Sequence, residues 1–187
     1  MIDAFLTTLW CLFICDKIEK LNLELFNKSQ EKNKKMGTTI VTVATFDNQV
    51  VVYNIGDSSA YGLTKDNEIN VVTVEDSFVG ALISAGAITQ EEAKTHPERH
   101  VLTQALATRD SINLHTFIDD LSNYDYFLLC SDGLTNMIEN EEIQDIVRNN
   151  ELSISVEKLI ELCVNRGGVD NISVAIIKNL GGVNHDK

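Results

Sequence analysis

Three aspartates in this chain share one kind of address. Asp57 closes the run Val50-Val51-Val52-Tyr53-Asn54-Ile55-Gly56. Asp132 follows Tyr126-Phe127-Leu128-Leu129-Cys130-Ser131 and precedes Gly133, and Asp170 follows Gly167-Gly168-Val169 and leads into Asn171-Ile172-Ser173-Val174. A short unbroken apolar run bounded by a turn signal reads as a strand, so each carboxylate lies at a strand end. An ionised carboxylate at the edge of an apolar core needs a cation, hydrogen bonds or water. If the three strands are neighbours, the carboxylates meet at one edge, where they cannot all stay ionised without a cation. Oxygen-only ligands select hard ions such as Mg²⁺ or Mn²⁺. Such a centre lowers the pKa of a bound water and holds a phosphoryl group for attack. The plainer reading is that Asp beside Gly after a strand is a turn, and residue types alone leave both open.

The elements that would position these residues can be read from periodicity. Residues 3–30 predict a helix, with Leu6, Leu9, Trp10, Phe13, Ile14, Ile18, Leu21, Leu25 and Phe26 at spacings of three and four. Residues 38–46 are rich in β-branched types, Asp47-Asn48 is a hairpin turn, and a second strand covers 50–55. Short strands over 60–64 and 68–74 follow around Lys65-Asp66-Asn67. Strands so closely joined imply an antiparallel meander rather than βαβ units. Residues 76–110 read as a largely helical insertion: a helix over 78–85, then Thr89 and Glu92 in capping-box spacing. Strands are predicted over 112–117, 126–130 and 172–177, with helices over 141–149 and 156–166, the latter capped by Ser155.

Composition narrows the function classes. A chain of 187 residues is one domain's worth, long enough to bury a core without staples. The net charge of −13 and pI near 4.6 argue against nucleic acid or an anionic membrane as partner. The apolar stretch 4–14 is shorter than the ~20 residues of a membrane span, so it reads as a buried or partner-facing helix. Cys11, Cys15, Cys130 and Cys163 show no paired spacing and sit among apolar residues, as reduced thiols of a cytoplasmic protein do. His96 and His100 are four apart, but Pro97 breaks any helix between them, which removes the metal-ligand reading. His115 reads as a surface or core residue, and Arg99 and Arg109 are cations that could bind phosphate.

Four motifs, taken in order, are recognisable: Met36-Gly37-Thr38-Thr39, Gly56-Asp57-Ser58, Cys130-Ser131-Asp132-Gly133-Leu134-Thr135 and Gly167-Gly168-Val169-Asp170-Asn171-Ile172-Ser173. They resemble the metal-dependent Ser/Thr protein phosphatases (the PPM or type 2C family), particularly the compact bacterial branch. The stretches 88–93 and 96–103 look like the flap of that branch, and the likeness runs from about Ile18 to Lys178. The resemblance implies an α/β (α+β) sandwich, two antiparallel β-sheets flanked by helices. It implies two Mg²⁺ or Mn²⁺ ions, with a third held more weakly, and phosphorylated Ser/Thr proteins as substrates. A cognate Ser/Thr kinase is implied as partner, with no nucleic acid and no membrane. Asp132 and Asp170 match the two late metal-ligand aspartates, and Asp57 matches an aspartate that serves the third metal with Asp132. Asn171, Ser131 and Gly133 match the residues that surround those ligands, Asn171 orienting Asp170.

The departures weaken the implied site. The family's early Arg-containing phosphate motif and its Asp-Gly-Met-Gly-Gly-His motif, whose Asp bridges two metals, have no counterpart here. Ser59 and Gln104 stand where the bacterial pattern has Arg. The expected layout is an altered helical segment over 1–17, a partial phosphatase domain over 18–180 and a tail over 181–187. With only part of the ligand set, the chain is expected to be weakly active or inactive. The alternative is a non-catalytic pseudophosphatase that binds a partner through the apolar face of residues 4–14.

Overall fold

The computed structural model describes residues 2–181, and side chains from residue 8 onward. The tail expected over 181–187 lies, beyond Gly181, outside the described residues, as do the side chains of residues 4–7. The element order is α1 (Ile2–Glu31), β1 (Ile40–Phe46), β2 (Gln49–Ile55), β3 (Ser59–Thr64), β4 (Ile69–Val71), α2 (Phe78–Ser84) and α3 (Gln90–Lys94). Then come β5 (His115–Asp120), β6 (Tyr124–Cys130), α4 (Asp132–Thr135), α5 (Asn140–Arg148), α6 (Leu152–Asn165) and β7 (Val174–Lys178). The strands form two antiparallel sheets, of order β1-β2-β5 and β4-β3-β6-β7, flanked by helices. That is the fold class expected from the sequence.

The chain divides into two compact units. One comprises Met1–Val41, Tyr53–Ser58 and Val74–Thr116, and the other Thr42–Val52, Ser59–Thr73 and Phe117–Lys187. The boundary proposed between residues 17 and 18 falls inside α1, which continues through it.

In the second unit β6 is the organising strand. It pairs antiparallel with β3 on one side, Ala60 opposite Leu129, and with β7 on the other, Cys130 opposite Val174. Phe127 and Leu128 are both buried although they point to opposite faces, as a strand covered on both sides requires. Its core gathers Tyr61, Leu63 and Leu128 from the sheet with Leu134, Ile143, Val147 and Leu159 from α4, α5 and α6. Each aliphatic side chain of that size contributes about 2 kcal/mol of transfer free energy when fully buried.

In the first unit α1 buries a narrow stripe: Cys11, Ile18, Asn22 and Ser29. The stripe is partly polar, which apolar periodicity could not have predicted. Leu9, Trp10, Leu12 and Phe13 are instead about half exposed or more, Leu12 by 63%, so these four large apolar side chains around buried Cys11 are not covered within this chain. Among the described residues no helix is long and apolar enough to cross a membrane.

Three local expectations need correction and one is sharpened. The meander breaks after β2: the chain leaves its first sheet there, and β3 opens the second. The strand expected over 112–117 runs from His115 to Asp120, and residues 112–114 are irregular. Ser155 does not cap α6, which starts at Leu152 after Glu151. The Ser155 hydroxyl is fully buried and donates to Glu151 O and Ile146 O, both at 3.1 Å, tying α6 to the end of α5. Finally, the turn at Ser131-Asp132-Gly133 leads straight into a short helix, α4, which Asp132 and Gly133 open. The capping box of Thr89 and Glu92 and the turns at Asp47 and Asn67, both at positive φ, form as expected.

Candidate functional site

The corner at Asp132 is built by strand pairing. β6 and β7 run side by side to Cys130 and Val174, so the residues after one strand meet those before the other. Ser131 N–H donates to Ser173 O (3.1 Å), Ser131 Oγ donates to Asn171 O (3.2 Å), and Ser173 N–H donates to Ser131 Oγ (3.0 Å). Gly133 fits beneath that loop because it has no side chain: a Cβ there would lie 2.3 Å from Asn171 O. The sequence therefore brings the Ser131-Asp132-Gly133 turn and the Asp170-Asn171 turn together, and Ser131 and Gly133 are the contacts that do it. Asp170 Oδ1 accepts the main-chain N–H of Asn171 (2.7 Å), so Asn171 orients Asp170 through its backbone. Behind the corner, burial first, and then the nearby Cys163 and Asp132, push the Cys130 thiol up to about 12. A thiol so neutral is no nucleophile.

Asp57 sits in the first unit, on a turn held in a different way. Gly56 has φ +100°, and a Cβ on it would strike the Thr39 side chain at 2.3 Å. That conformation and that contact both require glycine. Gly56 N–H donates to Asp76 Oδ2 (2.9 Å), and Asp76 N–H donates back to Gly56 O (3.0 Å). The same carboxylate accepts Gln104 Nε2 (3.0 Å) and meets His115 Nε2 (2.8 Å). Gln104 in turn closes the following loop, donating to Asn113 O (2.9 Å) and accepting from Asn113 N–H (2.6 Å). Asp76 is 8% exposed, so its charge is satisfied by protein donors rather than by water. Thr39 and Ser58 hydroxyls, 2.9 Å apart, fasten the far side of the turn.

A cleft of about 490 Å³ opens beside this turn, lined by Gly37, Thr38, Thr39, Asp57, residues 102–105, Thr108 and Arg109. Gly37, Thr38 and Thr39, part of the first recognisable motif, thus form one wall. Two residues that sequence reasoning set aside belong to this network: His115, taken as a surface or core side chain, and Gln104, noted only as a departure. Asp76 was missed altogether, because Asp before Ser at a helix start looks like capping. The only available signal was an acidic residue followed by the apolar face of α2. His96 Nδ1 accepts the Glu98 N–H (3.1 Å).

The donor set bears on whether a divalent ion fits. Asp132 and Asp170 stand on two turns that are hydrogen-bonded together, whereas Asp57 belongs to the other unit. Among the described residues no three His, Cys, Asp or Glu side chains are grouped closely enough to hold a metal ion. One or two carboxylates suit a hard ion that keeps most of its waters, and they do not suit a closed centre of two or three ions.

Known proteins agree with the fold and with the motifs. The sequence signature of the family described as protein phosphatase 2C matches residues 7–167. Protein phosphatase PhpP of Streptococcus pneumoniae is 41% identical over 148 residues, which cover 79% of this chain and 60% of that protein. The crystal structure of the Ser/Thr phosphatase Stp1 from Staphylococcus aureus superposes with a TM-score of 0.84 at 35% identity, covering 91% of this chain and 67% of Stp1. The catalytic domain of the Ser/Thr protein phosphatase PstP, solved with two manganese ions, gives a TM-score of 0.72 at 30% identity, covering 83% and 65%. The chain thus spans about 60% of the length of PhpP. A signature over most of the chain, with relatives above 30% identity and a shared fold, settles its kinship: the chain belongs to the protein phosphatase 2C family.

Proposed function

We propose that this chain serves the hydrolysis of phosphoserine and phosphothreonine in proteins, with Mg²⁺ or Mn²⁺ held by Asp132 and Asp170. Asp57 is a separate candidate ligand within its own unit. The observation that carries this reading is the pinned corner of the second unit. Ser131, Gly133 and Ser173 hold two aspartate-bearing turns together through main-chain and Ser131 hydroxyl hydrogen bonds that need no metal. When bound, a hard ion there would supply charge neutralisation and Lewis-acid activation of the phosphoryl group. The chain's own part is to hold Asp132 and Asp170 on fixed turns, so that a ligand pair exists before the ion arrives. Two carboxylates without a third leave the ion weakly held, so the 187-residue chain by itself is a slow catalyst.

The names of the relatives, all phosphatases, support the substrate class. Phosphoproteins, and the Ser/Thr kinase that makes them, are the partners on this reading. Four free cysteines favour a reducing compartment such as the cytoplasm. The test is a phosphothreonine peptide assay with and without Mn²⁺, alongside calorimetric Mn²⁺ titration, for the native chain, Asp132→Asn and Asp170→Asn. Slow, Mn²⁺-dependent release of phosphate that either variant removes is expected. Turnover that survives both substitutions would sink the ligand assignment, and no turnover at any Mn²⁺ concentration would sink the enzymatic reading.

A further inference from the structure

The cleft of the first unit contains a cation that the metal reading does not use. Arg109 is the only cationic side chain among the described residues lining it, and Thr38, Thr39, Thr103, Thr108 and Gln104 supply hydroxyl and amide groups around it. At about 490 Å³ the cleft is in the size range of small-ligand sites.

Arg109 is also presented by a turn held under strain. Ala107, two residues before it, has φ +67°, a left-handed conformation that costs a residue with a Cβ roughly 1–2 kcal/mol. Such strain persists only where the surroundings over-determine it. Here Asn22 of α1, fully buried, does so with both ends of its amide. Its Oδ1 accepts the Ala107 N–H (2.8 Å), and its Nδ2 donates to Arg109 O (3.0 Å). Thr108 Oγ1 ties the same turn to Ala105 O (2.7 Å). A polar residue in the buried stripe of α1 therefore fixes the backbone on both sides of Thr108 and delivers the Arg109 side chain to the cleft.

We propose that Arg109 is the phosphoryl-binding residue of this cleft, the ligand being the phosphate monoester of a phosphothreonine or phosphoserine residue. A guanidinium offers a planar fork that matches two phosphate oxygens. Both Gln104 amide hydrogens are taken by Asp76 and Asn113, and Thr108 Oγ1 by Ala105 O, so the Thr103 hydroxyl of the lining is left to donate to the remaining oxygen. Asp57, the one carboxylate of the lining, repels a dianion and leaves the Arg109 end as the place for it. The identity of the ligand rests on the phosphatase reading, and the binding itself does not.

The experiment is equilibrium binding to the full chain in EDTA, at low salt, by calorimetry or amide chemical shifts. The probes are a phosphothreonine peptide, its unphosphorylated twin and inorganic phosphate. The native chain is expected to bind the phosphopeptide at least tenfold more tightly than the unphosphorylated twin. Arg109→Ala should lose at least tenfold in phosphopeptide affinity, and Arg109→Lys should recover part of it as a point charge without the fork. Thermal melts of both variants should match the native one, since Arg109 is exposed. Inorganic phosphate competing at the same residue assigns the phosphoryl group itself as the ligand. A phosphopeptide that alone binds assigns its peptide a share as well. Equal affinity of the native chain and Arg109→Ala, or equal binding of both peptides, overturns the proposal. Because no metal is present, a failed metal site shows separately, as absent Mn²⁺-dependent hydrolysis with Arg109-dependent binding intact.

Discussion

The turn at Asp132 and the turn at Asp57 carry the same kind of residue, and they are held by opposite means. At Asp132 the geometry is made by neighbouring strands: β6 and β7 deliver Ser131 and Ser173 to one another, and Gly133 slips under Asn171. At Asp57 it is made by a buried side chain. Asp76 reaches across from a distant part of the chain to hold Gly56, Gln104 and His115 together. A corner built from strand pairing tolerates a change of its acidic side chain but not of its backbone packing. A corner built on one buried carboxylate is sensitive to the loss of that carboxylate as well as to its packing.

That contrast can be broken at its strongest point by Gly133→Ala. The added methyl would overlap the carbonyl of Asn171, a backbone atom that cannot swing away. Overpacking against backbone should cost about 3 kcal/mol, read as a large drop in melting temperature and in Mn²⁺ affinity together. An unchanged melt would mean that the β6–β7 corner is soft.

Asp76→Ala comes next. It leaves the Gly56 N–H, the Gln104 amide and His115 without their acceptor in a nearly closed space. A stranded buried donor costs about 1–3 kcal/mol, so a loss of about 2 kcal/mol is expected by denaturant titration. Amide exchange should rise at Gly56 and Asn113 and stay unchanged at Ser131. Faster exchange at Ser131 as well would show that the two corners are not independently held.

A smaller effect, of opposite sign, is expected for Ala107→Gly. Relief of the left-handed strain should stabilise the chain by about 1 kcal/mol, less the entropy that glycine adds to the unfolded state. A destabilised variant would show that Asn22 is not holding Ala107 against strain. The smallest effect belongs to Asp132→Asn, which should shift the melt by no more than about 0.5 kcal/mol in EDTA. Its structural contacts are the backbone carbonyl, which accepts from Asn136 N–H (2.9 Å) and Thr135 Oγ1 (3.2 Å), and a long side-chain contact to Asn136 (3.5 Å). A large loss there would erase the difference between the two corners.

Legibility in the sequence follows the same division. β6 was readable because the five residues 126–130 carry their own burial signal, although the strand itself starts at Tyr124, and its end at Ser131-Asp132-Gly133 followed from composition. The capping box at Thr89 was readable because its partners are three residues apart. Ser155 misled for a related reason: a serine before an apolar run resembles a cap, and only its contact with Ile146 reveals a different task. The stripe of α1 misled too, since Asn22 and Ser29 are buried where Leu9 and Leu12 are not. Asp76 gave almost no local hint, its partners lying 20, 28 and 39 residues away.

The sequence alone therefore determined most of the strands and turns, the family and the aspartates beside strand ends, because each of these is written in residues close together in the chain. Tertiary structure alone decided which sheet each strand joins, and that Asp132 and Asp170 turns meet while Asp57 depends on Asp76. It alone decided that buried Asn22 presents Arg109. The physical reason is that burial and long-range hydrogen bonding depend on what packs alongside, and a carboxylate or an amide shows its partners only when the fold has brought them within 3 Å or so.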